Sequence, residues 1–127
     1  MREKCTFDYA VIRFVPRVER EEFFNVGVIL SCPAQKFLEC RISLDENKLK
    51  VFAPKIDADE VKKYLEIIPK ICAGAKEAGI IGQLTPRERF YWLTAVRSTI
   101  IQTSPIHTGF CCEAKDILEH LFKTMVL

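Results

Sequence analysis

No unbroken apolar run in this chain exceeds four residues. A membrane-spanning helix needs roughly 20, so no segment reads as a membrane span. The first residues, Met1 to Thr6, lead straight into a strand-like run without the apolar region of a secretion signal, and a cytoplasmic protein is expected. Charge of one sign is missing as well. Nineteen Lys and Arg against seventeen Asp and Glu leave +2, too little for the basic stripe that announces nucleic acid. There is no Cys-x-x-Cys, no Walker loop, no Gly-x-Gly-x-x-Gly, no His-Glu-x-x-His and no paired aromatic RNA-binding signature. No internal repeat or low-complexity stretch occurs. What remains is one globular domain of 127 residues, 49% apolar and 28% charged, which excludes wholesale disorder.

Six cysteines would suggest disulfides in a short secreted protein. Without a secretion signal they read as reduced thiols. Cys32, Cys40 and Cys72 sit in apolar patterns as small buried hydrophobes, and the adjacent Cys111 and Cys112 are poorly placed to bond each other.

Phe7 to Val15 and Phe23 to Cys32 are apolar on both alternating faces, as central strands are, and Gly27 marks a bulge or a close backbone approach. Phe37 to Leu44 alternates cleanly and has one wet face. Short connections make these three strands an antiparallel meander. Lys48 to Ala53 reads as a weak strand or extended segment. A helix follows Asp57, with Val61, Leu65, Ile68 and Cys72 at helical spacing and Pro69 expected to kink or end it. Thr85-Pro86-Arg87-Glu88 carries a capping box and opens a helix over roughly Pro86 to Val96. Thr99 to Gln102 reads as a short strand, Ile106 to Cys111 as a loop, and Glu113 to Met125 as a closing helix. The expected fold is α+β: an antiparallel meander sheet packed against about three helices as a two-layer sandwich.

Two polar segments could carry chemistry. Arg97 to Gly109 joins a permanent cation to His107, five hydroxyls and the free amides of a following helix start, a set suited to a phosphate or carboxylate. The turn holding Arg13, Arg17, Glu19, Arg20, Glu21, Glu22 and Asn25 lies between two buried strands; its plainer reading is a solvated hairpin. If the segments share one site, Arg13 or Arg17 and Arg97 supply charge. Asn25, Ser98, Gln102, Ser104, His107 and Thr108 then complete the ligand-binding set. Histidine is the side chain suited by its chemistry to acid–base work at physiological pH, so His107 is the candidate acid or base in the alternative reading, an enzyme acting on a phosphorylated or nucleic-acid substrate. A zinc site from His107, Cys111, Cys112 and His120 is not expected, because His120 falls two turns into the last helix. No metal and no cofactor are assigned.

The strings YAVIRFVPRVER at 9–20, EFFNVGVIL at 22–30, RFYWLTA at 89–95 and RSTIIQTSPIHTG at 97–109, with Cys111 and Leu121-Phe122, resemble the bacterial domain of unknown function (DUF) 3037 family. The resemblance spans nearly the whole chain. Val96 stands where the family has proline, and Cys112-Glu113 where it has an acidic pair. It implies a small cytoplasmic accessory protein with a HipA-like kinase as partner; apart from the resemblance, the polar segments suggest a phosphate-bearing ligand, and an exposed sheet edge would allow a homodimer. Its motif falls on Arg13, Arg17, Asn25, Arg97, Ser98, Thr99, Gln102, Ser104, Pro105 and His107 and gives none of them a catalytic role.

Overall fold

The computed structural model describes residues 4–17, 22–97 and 99–127; Arg20, Ser98 and the side chain of Arg17 lie outside the described residues. Strands β1 (Cys5–Arg17), β2 (Glu22–Cys32) and β3 (Phe37–Ile42) are followed by helices α1 (Glu46–Phe52), α2 (Ala58–Ala73), α3 (Gly79–Gly82) and α4 (Pro86–Leu93). The chain ends with β4 (Ile101–Thr103), β5 (His107–Cys111) and α5 (Ala114–Met125). All strand pairs are antiparallel, in the order β3-β2-β1-β4, with β5 also on β1. The α+β fold with its β1-β2-β3 meander is therefore present, extended by two short strands.

β1 is the spine. Its even residues Ile12 and Phe14 enter a core shared with Leu49 of α1, Val61, Leu65, Ile68 and Ile71 of α2, and Phe90 and Leu93 of α4. Its odd residue Phe7 enters a second core, with Ala114 and Leu118 of α5. Both alternations of β1 and β2 are apolar, so both faces need covering. α5 thus adds a layer of helix on the face opposite α1, α2 and α4. The ion pair Arg41–Glu119 (2.9 Å) and the stacking of Arg41 on Phe122 (5.0 Å) tie α5 to β3.

β2 changes register midway. Ile12 pairs with Gly27 but Arg13 with Asn25, leaving Val26 as the extra residue of a bulge. Phe24 and Val26 therefore face the first core, while Val28 and Leu30 face the second. A Cβ on Gly27 would lie 2.7 Å from the Arg41 carbonyl oxygen, so the close approach needs glycine.

Three expected elements differ. Residues 46–52 form a helix, because the Asp45 carboxylate accepts from the Lys48 amide (3.1 Å) and Leu49 is driven into the core. α2 runs through Pro69, whose ring lies on the exposed face, while buried Ile71 and Cys72 and two hydrogen bonds from Arg89 hold the last turn. Residues 107–111 are a strand because β1 offers its second edge along their length. A Cβ on Gly109 would lie 2.7 Å from the Phe7 ring it packs on.

β4 and β5 flank a break at Ser104-Pro105. Ser104 is 3% exposed. Its amide donates to the Val11 carbonyl (2.8 Å) and its hydroxyl accepts from the Val11 amide (2.9 Å). Across the break the ladder is kept whole by a side chain. Ser104→Ala orphans the buried Val11 amide, and chemical denaturation should show a loss of about 1–3 kcal/mol; a smaller loss would mean that water replaces the hydroxyl.

Candidate functional site

β4, β1 and β2 place Gln102, Arg13 and Asn25 side by side on the face that also carries α5. Strands lie about 4.8 Å apart, so the three positions span roughly 10 Å. The Arg13 guanidinium stacks on Phe23 at 4.2 Å, and Phe23 is 43% exposed. Asn25 donates through Nδ2 to the Met125 carbonyl (2.9 Å), anchoring the end of α5, and Gln102 donates through Nε2 to the Thr99 carbonyl (2.9 Å). Two buried polar atoms in this row have no partner among the described residues: Arg13 Nε and Asn25 Oδ1. α5 packs over β2 and β3, and Arg13 and Gln102 stay partly exposed beside it.

The arginines divide clearly. Arg41 pairs with Glu119, and Arg87 with Asp8. Arg89 is buried and donates to the carbonyls of Ile71, Cys72 and Leu84. Arg97 donates to the carbonyls of Trp92, Leu93 and Ala95 and stacks on Trp92 at 4.5 Å. It neutralises the negative end of α4. Arg13 alone of these five has no hydrogen bond or ion pair to a described residue.

The remaining predicted site residues scatter. His107 faces the same side as Arg13 but sits opposite Tyr9, stacked at 5.2 Å and four residues along β1, roughly 13 Å away. Thr108 points to the other face and donates to Asp8. Ser104 is committed inside the sheet. Arg97 lies with α4 on the first face, lining a groove with Tyr64, Trp92, Ile101 and Gln102. That groove adjoins a larger hollow of about 610 Å³ between α2 and residues 99–101. The structure thus brings together Arg13, Asn25 and Gln102; Arg97 meets this row only at Gln102, and Thr108 lies apart from it. Among the described residues no three His, Cys, Asp or Glu side chains converge as metal ligands, and no helix is long and apolar enough to cross a membrane.

A family model described as a protein of unknown function (DUF3037) matches residues 9–126. The chain belongs to this family. No curated protein and no solved structure matches it. Within this DUF3037 chain the match takes in the whole Asn25–Arg13–Gln102 row, and His107 and Arg97 with it. The family's description assigns them no activity.

One polar cluster escaped the sequence reading, and it includes Asp8, one residue before the family match begins. Asp8 is 8% exposed. It is ion-paired with Arg87 of α4, which also donates to Ser31 (3.1 Å) and to Tyr91 (3.0 Å), while Thr108 of β5 donates to the same carboxylate. Burial works against the ionised form, but the hydrogen bonds of Thr108 and Arg87 and the charge of Arg87 outweigh it and hold the carboxyl below its ordinary value. The cluster pins α4 and β5 to β1. A carboxylate inside an otherwise apolar strand was the one signal for it.

A carboxyl whose folded pKa lies below its unfolded one contributes stability that is full above the ordinary aspartate value, about 3.9, and is lost as pH falls through the folded value. Asp8→Asn should therefore lower stability at pH 7 by about 1–3 kcal/mol. The gap from wild type should narrow in acid, as followed by urea denaturation across pH. A gap independent of pH would contradict the ion pair.

Proposed function

We propose that the protein is an anion-binding module whose charge contact is Arg13. The observation that carries this reading is the uncommitted Arg13 guanidinium on a partly open sheet face, beside buried Arg13 Nε and Asn25 Oδ1 that lack partners. Unpaired buried polar groups cost about 1–3 kcal/mol each, and a site kept at that cost fits ligand binding better than packing. The ligand group is an oxyanion, phosphate or carboxylate, which the guanidinium fork can hold with two hydrogen bonds. Gln102 and Asn25 frame it, and Phe23 holds the guanidinium plane in place.

Acid–base catalysis by His107 has less support. Its described contact is the face of Tyr9, whereas a general base needs a group that orients its ring. A HipA-like kinase partner rests on the family resemblance alone, and a homodimer through the outer edge of β4 and β5 rests on that edge being unpaired among the described residues. The anion site rests on geometry.

Titration of the chain with inorganic phosphate, followed by amide chemical shifts, tests the reading, with acetate as the carboxylate comparison. Arg13→Gln should weaken binding at least tenfold, about 1.4 kcal/mol, while Arg97→Ala should lose stability and keep the affinity. Equal affinity of Arg13→Gln and wild type, or loss only in Arg97→Ala, would overturn it.

A further inference from the structure

Two thiols meet where β3 packs against the last turn of α2. Cys40 faces the first core from β3 and is half-buried; Cys72 is 7% exposed. The two thiols are near enough for each to perturb the other. Both line a surface cavity of about 450 Å³ with Leu38, Glu39 and Pro69, so a small molecule can reach the pair. Neither is in a disulfide.

The pair is unequally exposed. Cys40 is half-buried at the cavity wall, whereas Cys72 is nearly closed off behind it. The neighbouring Cys72 lowers the Cys40 thiol from its ordinary value, against burial and the charge of Glu39, while contact with Cys40 and burial raise Cys72. A reachable sulfur beside a nearly buried second thiol is the arrangement of a reactive and a resolving cysteine. Cys111 differs. It pairs across the strands with Cys5 in β1, and its thiol is pushed up to about 11 by burial and by Cys32 and Cys5.

We propose that Cys40 and Cys72 are a hydroperoxide-reactive thiol pair that closes to a disulfide linking β3 to α2. The Cys40 thiolate attacks one peroxide oxygen. An S–O bond forms, the O–O bond breaks, and the departing alkoxide or hydroxide takes a proton from water. Cys72 sulfur then attacks the Cys40 sulfenic acid; the S–S bond forms and the S–O bond breaks. The hydroxide released combines with the Cys72 proton to give water. Two thiols lose two electrons and one peroxide gains them. This site is separate from the Arg13 row, so either assignment can fail alone.

The test is treatment of the intact folded chain with hydrogen peroxide, alkylation of remaining thiols, and peptide mass spectrometry, with circular dichroism to confirm folding of each variant. The main product expected is a Cys40–Cys72 linked peptide. In Cys72→Ser and Cys72→Ala, Cys40 should accumulate as sulfenic acid trapped by dimedone. Cys40→Ser should consume peroxide about tenfold more slowly. The proposal is overturned if Cys40→Ser keeps the wild-type rate, if oxidation falls on Cys111 or Cys112 while Cys40 stays alkylated, or if the linkage forms no faster in folded chain than in urea.

Discussion

Buried backbone groups must be paired, and in this chain that requirement bears hardest on β1. The strand has neighbours on both edges and apolar side chains on both faces. On one edge β2 runs beside it for nearly its full length. On the other, two short strands divide the work, and the proline after β4 withholds an amide where they meet. Ser104 closes that gap by exchanging two hydrogen bonds with Val11. The register that results sets Gln102 opposite Arg13 and His107 opposite Tyr9, so the geometry of the candidate site follows from a buried serine.

Helix ends take up two further arginines. Arg89 carries a guanidinium into the core without a carboxylate partner, held by carbonyls at and beyond the end of α2. Arg97, half-buried, caps the carbonyls at the end of α4. With Arg41 and Arg87 in ion pairs, these positions leave Arg13 as the one arginine without a polar partner among the described residues. They also explain why α2 survives Pro69: the carbonyls of its last turn are satisfied by Arg89, and Ile68, Ile71 and Cys72 are buried there.

Much of the fold could be read from local chemistry. The two-faced apolar strands, the glycine at the bulge and the Thr85 capping box each have a cause within a few residues, and each is where the sequence suggested. α1 was obscured because Val51-Phe52 reads as strand, yet Val51 is 83% exposed and the cap at Asp45 decides the matter. β5 has little strand chemistry of its own; His107, Thr108 and Gly109 are extended only because β1 lies alongside. Arg13, Asn25 and Gln102 were legible as polar residues near strand ends. The approach of Gln102 to Arg13 and the diversion of Ser104 to a structural task depended on pairings between residues about 90 positions apart, whereas Arg97 is taken up by carbonyls of its own helix end. The Asp8–Arg87 ion pair had the same obstacle, since Arg87 alone reads as an exposed residue in the first turn of a helix.

The central claim is that Arg13, and not Arg97, is the charge open to a ligand. Arginine Nε–H resonances recorded during a phosphate titration test it most directly, because each guanidinium reports separately. The account predicts that the Arg13 Nε–H signal moves with phosphate concentration while those of Arg89 and Arg97 stay fixed. A shift at Arg97 with Arg13 unmoved would contradict it.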